Sequence, residues 1–488
     1  FDRWDKMEGR DYVANGNTNL GYNGLQYATT QKTTTGITRR RNAGYFARAS
    51  YSFDDAYYLT ASYRRDGASV FGADNKWGNF YAFGGAWRVT HEKFMEKVRF
   101  LNDLKLKLSW GRNGNQGIDP YGTLSEAVIG PGGGIAYPFG NSTVPSFGIK
   151  QKSLGNSGLG WETTNSWNFG FESAWLNNRL FVNMDVYLSR TTDQIFNRTI
   201  PSMTGFDSMK STMGEVANRG VEFSIHSVNI ENKDWRWDTN LTFWLNRNEL
   251  VHLYGEDLDG DGREDDDLGN NLFIGHSIHS IYGYKVAGIV QKDDTEYIQA
   301  NGATPGNPKY VDVDGNGTIG VEDRTILGTS DPRFKMSLSN TLSWKNFELY
   351  FMLTGTFGGN GYYVSENAPA FLAGGGGGGA YSNNMYIPYW TEERPSNKYP
   401  AANFSGDGRF KGLQSRAFVR LQDITLSYTF NSAKIKNFGI NNLRVFFTGK
   451  NLFTITGWEN GDPELGNTIL SSTYPISTNL SLGANISF

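Results

Sequence analysis

The chain has 488 residues, a net charge of -3, no cysteine, and no apolar run long enough to cross a membrane as a helix. These facts exclude a global basic field for nucleic acid, a disulfide framework and a thiolate metal centre. They leave open a membrane β-barrel, whose strands show lipid only at every second residue.

Phe1 begins no basic start followed by an apolar stretch, so any signal peptide is expected to lie outside this sequence. Residues 1–41 read as the end of a long extracellular loop. From residue 42 onward, period-two alternation recurs. Tyr57, Leu59, Ala61 and Tyr63 alternate with Tyr58, Thr60, Ser62 and Arg64. Leu104, Leu106, Leu108 and Trp110 alternate with Lys105, Lys107 and Ser109. The pattern returns at Leu180–Leu188, Phe347–Leu353, Ile424–Phe430 and Leu480–Phe488. About 13 strands are expected, near 42–54, 56–67, 77–90, 103–115, 166–176, 179–195, 220–231, 235–250, 333–344, 347–359, 418–430, 443–455 and 478–488. Each is about 10 residues or slightly longer, the span of a tilted membrane strand.

The connections sort by parity. Short turns sit at Asp54-Asp55, Asn177-Asn178, Glu231 to Asp234 and Lys345-Asn346. Long loops follow the other strand ends, near 116–165, 196–219, 251–332, 360–417 and 456–477. Short turns on one side and long loops on the other are the outer-membrane pattern. A soluble sandwich has no reason to sort its loops this way. The fold class is therefore an all-β, antiparallel transmembrane β-barrel with a polar lumen. An odd number of strands cannot close in antiparallel fashion, so further N-terminal strands are expected outside this sequence. Trp77, Trp87, Trp110, Trp161, Trp167, Trp175, Trp235, Trp237 and Trp344 fall near strand ends, which fits interfacial girdles; the plain alternative is the aromatic enrichment ordinary in β-structure.

Several blocks resemble the SusC/RagA family of TonB-dependent transporters. They are Arg64-Arg65-Asp66-Gly67-Ala68-Ser69-Val70-Phe71-Gly72, Leu106-Lys107-Leu108-Ser109-Trp110-Gly111, Gly160-Trp161-Glu162-Thr163-Thr164 and Asn218-Arg219-Gly220-Val221-Glu222. Later come Arg420-Leu421-Gln422-Asp423-Ile424-Thr425-Leu426-Ser427-Tyr428, Asn451-Leu452-Phe453 and Gly461-Asp462-Pro463-Glu464, and the chain ends on the aromatic Phe488. The resemblance implies that residues 42–488 are the C-terminal part of a barrel of about 22 strands. It also implies that the plug portion and TonB box lie outside this sequence. It implies import of an oligosaccharide or oligopeptide across the outer membrane, powered by TonB-ExbB-ExbD, with a SusD-like surface lipoprotein as partner. The alternative is a passive porin-like channel. The chain is not expected to be an enzyme: no nucleophile elbow and no Ser/His/Asp set can be picked out by spacing.

The sharpest local motif is Asp312-Val313-Asp314-Gly315-Asn316-Gly317-Thr318-Ile319-Gly320-Val321-Glu322-Asp323. It matches a calcium loop, in which hard oxygens at fixed spacing wrap one ion. Asp312, Asp314 and Asn316 supply side-chain ligands, Thr318 a carbonyl, and Asp323 the closing acid where a longer glutamate is usual. Bound Ca2+ would rigidify the loop; the plain alternative is a solvated Asn/Asp/Gly turn. A second run, Asp257-Leu258-Asp259-Gly260-Asp261-Gly262, lacks an acid at the closing position. Asp265, Asp266 or Asp267 can substitute, but a solvated acidic loop is the favoured reading. His276 and His279 have no third ligand at zinc spacing. Gly374 to Gly379 reads as a hinge or mobile loop. Tyr362, Tyr363, Tyr381, Tyr386, Tyr389 and Trp390 are either ligand-facing aromatics or loop packing.

Overall fold

In the computed structural model, the residues described are 2–14, 30–129, 136–137, 146–147, 149–362, 388–404, 407–410, 412–430, 439–459, 462–464 and 476–488. Fourteen strands form one sheet in which every neighbour is next in sequence among the long strands, and every pair is antiparallel. We number them β1 Asp2–Ala14, β2 Thr30–Phe53, β3 Tyr57–Ala68, β4 Trp77–Arg88, β5 Leu101–Asn115, β6 Glu162–Trp175 and β7 Leu180–Thr199. Then follow β8 Ser208–Glu231, β9 Trp235–His252, β10 Phe334–Trp344, β11 Phe347–Phe357, β12 Phe418–Phe430, β13 Asn442–Thr456 and β14 Asn479–Ser487.

The strands expected from alternation correspond to β2 through β14. Residues 1–41 differ from the expected loop. β1 pairs along β2 from Asp2↔Asn42 to Ala14↔Thr30, whereas Asn42 onward pairs with β3. Pairing thus changes hands at Asn42, and the β1–β2 hairpin projects past the end of β3. Residues 30–41 are mostly Thr, Lys, Arg and Gln, with no apolar face to betray a strand. A second difference lies at 196–219. β7 and β8 continue pairing from Gln194↔Gly214 to Thr199↔Ser208, so the loop shrinks to 200–207. Register shifts at Thr191/Gln194 and Gln194/Ile195 break the alternation there, which hid the strands.

The loop parity holds for the tightest turns and the longest connections, although 89–100 and 431–441 are longer than 69–76 and 200–207. One end carries connections at 54–56, 89–100, 176–179, 232–234, 345–346 and 431–441; the other carries 69–76, 116–161, 200–207, 253–333, 358–417 and 457–478. The tight turns use left-handed backbone: Asp54 and Asp55 have φ of 50° and 47°, and Asn177 and Asn178 have 57° and 60°. Asp and Asn tolerate that region better than other side-chain-bearing residues.

Alternation becomes two chemically distinct faces once register is applied. One row of directly paired residues runs Phe53, Tyr57, Trp87, Leu106, Phe171, Met184, Phe223, Phe243, Met336 across nine strands, β2 to β10. Its members stack, with Phe223 and Phe243 at 4.9 Å between ring centroids. The next row, on the opposite face, runs Lys107, Gly170, Asp185, Glu222, Trp244, Lys335, Thr356, Phe418. The apolar face is not covered by protein: Leu482 is 78% exposed and Ile455 67%. In water that exposure would cost about 25 cal/mol per Å2; against lipid acyl chains it costs nothing. The buried apolar clusters lie instead in and around the long connections, such as Leu250, Leu253 and Leu272. Asn340, a buried polar residue on the apolar side, is satisfied by the Trp237 indole N–H at 2.8 Å and the Thr239 hydroxyl at 2.7 Å.

Candidate functional site

The polar row forms the middle of the lumen wall. Lys107 Nζ donates to Glu172 at 2.9 Å and lies 3.6 Å from Asp185. Gly170 stands opposite Asp185 because a Cβ there would run into the Asp185 carboxylate and the Met184 carbonyl. A cavity of about 490 Å3 opens over this wall, bordered by Asp185, Glu222, Trp244, Lys335, Phe418 and Glu464 among others. Both charge signs, hydroxyls and two aromatic faces are offered at one level, suited to holding a polar solute in orientation rather than to chemistry.

Above the wall, the long connections fold onto one another. Within 253–333 lie two small hairpins, Ser280–Tyr284 with Arg324–Thr329 and Val286–Ile289 with Pro308–Tyr310, and a helix at Thr295–Asn301. Tyr284 and Tyr310 share a buried cluster with Phe404 and Phe410 from the next long connection. Ile289 packs with Trp390 and Ala401. Polar bonds seal the seam: Ile289 N to Asn397 Oδ1 at 3.0 Å, Trp390 Nε1 to Gln291 Oε1 at 2.9 Å, and Tyr310 Oη to Asp407 at 2.7 Å. Burial, and then the Asp407 carboxylate, push the Tyr310 phenol far above its usual range. Trp390 is therefore a packing residue, while Tyr389 is 43% exposed. Tyr363, Tyr381, Tyr386 and the run Gly374 to Gly379 lie outside the described residues, as does the Tyr362 side chain.

A third connection joins this body through Arg420. That side chain is 4% exposed, and it pairs with Asp462 at 2.7 Å, with Glu464, and with the Thr454 hydroxyl at 2.9 Å. Arg416 donates to the carbonyls of Pro463 at 3.0 Å and Glu464 at 2.8 Å. Lys398 and Tyr399 both bind Glu459.

The expected metal loop is closed on itself. Carboxylate oxygens of Asp312, Asp314 and Asp323 all lie within 4.8 Å of one another. Asp312 accepts the N–H groups of Gly315 and Gly317, each at 2.7 Å, and those glycines sit at φ of 77° and 87°. Asn316 Oδ1 accepts the Thr318 N–H at 2.8 Å and its hydroxyl at 2.7 Å. Asp323 is fully buried. The N–H groups of Gly320 and Val313 bind it and hold its carboxyl below the usual range, against the effect of burial. A preorganised set of carboxylate oxygens of this kind fits a hard divalent cation such as Ca2+.

The second run is built alike. Asp257 accepts Gly260 N–H at 2.8 Å and Gly262 N–H at 3.0 Å, and Asp265 closes the ring by accepting Leu258 N–H at 2.7 Å. Asp257, Asp259 and Asp265 meet the same 4.8 Å limit. The closing acid comes early in this loop, so a twelve-residue template passes over it. Neither His276 nor His279 belongs to such a group among the described residues. His279 instead binds Asp331 at 2.8 Å.

The comparisons with known proteins meet this geometry. A family model described as TonB dependent receptor-like, beta-barrel, matches residues 3–452. The chain belongs to that family. TonB-dependent receptor P26 of Formosa agariphila is 32% identical over 475 residues, covering 91% of this chain and 46% of the relative. TonB-dependent receptor SusC of Bacteroides thetaiotaomicron is 31% identical over 467 residues, covering 92% of this chain and 44% of the relative. A solved structure of the RagAB peptide transporter superposes with a TM-score of 0.75 at 26% identity, covering 95% of this chain and 50% of that one. The chain thus spans about half the length of the relatives it matches. This TonB-dependent receptor barrel is an outer-membrane protein. Its relatives are receptors and transporters rather than enzymes.

The family-like blocks acquire physical reasons in the barrel. In Asn218-Arg219-Gly220-Val221-Glu222, Gly220 leaves room for the Tyr187 ring, whose hydroxyl reaches Asn246 at 3.1 Å. The blocks beginning at Arg420 and Gly461 are two halves of one ion cluster. Sequence reading listed both blocks, but opposite charges 42 residues apart give no pairing signal.

Proposed function

We propose that this barrel is the membrane portion of an active importer that carries an oligosaccharide or oligopeptide into the periplasm. The observation that carries the reading is the mixed-charge, aromatic lumen row beneath a cross-braced outer body. A polar solute can be held at that level while acyl chains stay outside. The relatives named as TonB-dependent receptors and as a peptide transporter support active import. In this reading an N-terminal portion of the same protein supplies a plug and further strands. Those strands pair with the free edges of β2 and β14, since open edges are too costly in lipid. A SusD-like surface lipoprotein seats on the outer body, and TonB-ExbB-ExbD supplies energy. The test is uptake of labelled oligosaccharides and oligopeptides by cells carrying or lacking the full-length gene. Uptake should vanish both in the deletion strain and when TonB is removed. Influx that persists without TonB would instead establish a passive porin-like channel.

The loop Asp312–Asp323 is assigned, as part of the same proposal, a structural Ca2+ that stiffens residues 251–332. The buried, ionised Asp323 supports this. Calorimetric titration of the full-length protein with Ca2+ after chelation should show binding, and Asp312→Asn should weaken it by about tenfold or more. Chelation should also raise protease cleavage within 251–332. Absence of binding would leave a self-satisfied turn.

A further inference from the structure

The outward face carries charge where a lipid-facing wall should carry none. Phe83, Trp110, Trp167 and Leu188 form one directly paired row on the apolar side, and the same row continues into Arg219 and Arg247. The row one step nearer the outer end runs Arg112, Asn165, Arg190. Arg65 lies on the same face two residues beyond Tyr63, its guanidinium 5.4 Å over the Trp77 ring. Strands of such barrels tilt by about 35–45°. A band at constant height must therefore change rows, and this one changes between β7 and β8.

Arginine on the lipid face at mid-membrane costs about 2–4 kcal/mol, and little near the interface. The band therefore marks the headgroup level of the outer leaflet. Among the described residues Glu215, 2.9 Å from Arg190, and Glu249, 3.6 Å from Arg219, pair with it, and Arg247 also donates to the Arg333 carbonyl at 2.7 Å. The Arg190 and Arg219 side chains remain 67% and 68% exposed. Directly below stand stacked aromatics, Phe83 on Trp110 at 6.0 Å and Trp110 near Trp167 at 6.2 Å. At the same height the β4–β5 ladder ends at Ala82↔Gly111, although both strands continue. Backbone groups at that seam need polar company rather than hydrocarbon.

We propose that this band binds the phosphate-bearing headgroup of an acylated outer-leaflet glycolipid. Guanidinium groups of Arg112, Arg190, Arg219 and Arg247 meet the phosphates, and acyl chains lie on Phe83, Trp110 and Trp167. Arginine is suited to this because its planar fork pairs with phosphate in bidentate fashion.

The test titrates delipidated full-length protein with purified bisphosphorylated lipid A in mild detergent, read by native mass spectrometry. Changing the four arginines together to glutamine should lower binding by about tenfold or more. Changing all four to lysine should preserve most of it. Lipid A stripped of phosphate should bind the wild type as poorly as intact lipid A binds the glutamine variant. Equal binding by the glutamine variant, or by the stripped lipid, overturns the proposal. Displacement by an equimolar amount of phosphatidylglycerol also overturns it, reassigning the band to phospholipid. If the glutamine variant fails to assemble, the stripped-lipid comparison on the wild type still decides.

Discussion

Leu108→Arg is expected to cripple assembly of the full-length protein, while Ser109→Arg, one residue away, is tolerated. Leu108 pairs with Gly85 and Phe169 on the apolar face near the middle of β5, and it is 52% exposed. An arginine there faces hydrocarbon at a cost of about 2–4 kcal/mol, enough to lower the folded-to-unfolded ratio by about 30- to 1,000-fold. Ser109 pairs with Gly84 and Asn168 on the polar face, where an arginine meets water. Heat-modifiable electrophoretic mobility and urea unfolding in phospholipid bilayers read the difference. The opposite ranking would mean that the faces have been assigned backwards.

Arg420→Met should free the 457–464 connection from the barrel wall. It leaves Asp462, whose side chain is 10% exposed, beside Glu464 without the cation that bridges the two. Removing one member of a buried pair costs about 3–5 kcal/mol. The lower end applies here, because water can enter from the lumen. Amide exchange of residues 457–464 should speed up by about 100-fold, while β12 and β13 stay protected. Arg420→Lys should recover part of the protection but lose the fork that spans both acids. Replacing Asp462 and Glu464 by Asn and Gln in the Arg420→Met background should be milder than the single change. Unchanged exchange in Arg420→Met would show that the backbone bonds of Arg416 suffice.

The strands were legible because a lipid-facing wall imposes the plainest of patterns. Leu104, Leu106 and Leu108 must point one way, and Lys105 and Lys107 the other. The turns were legible because Asp54-Asp55 and Asn177-Asn178 use left-handed backbone that favours those residues. Where neither constraint acts, the reading failed. β1 and the part of β2 before Asn42 pair only with each other and carry no alternation, so they read as loop. The 196–219 hairpin is bulged and loses phase. The Asp312–Asp323 carboxylate cluster was visible because its residues are local in sequence, and its sister was read as a solvated acidic loop because Asp265 closes the ring ahead of the template. The cross-braces between long connections, such as Gln291 with Trp390 or Lys398 with Glu459, join residues from separate loops. The arginine band emerged only when register set residues of four strands side by side.

The braced outer body also dictates an order of assembly. Ile289 finds its partner Asn397 108 residues later, on the far side of β10 and β11. Contacts that close such long loops form late, because the entropy of closure must be met before they contribute anything. Residues 253–333 therefore reach the outer face as an unfinished segment, carrying Ile289, Tyr284 and Tyr310 without cover. Only when the 358–417 connection has reached the same side can Trp390, Phe404 and Phe410 shield them. The interval between these events is when the protein is most open to misassembly, and β10 and β11 are the strands that must be placed within it.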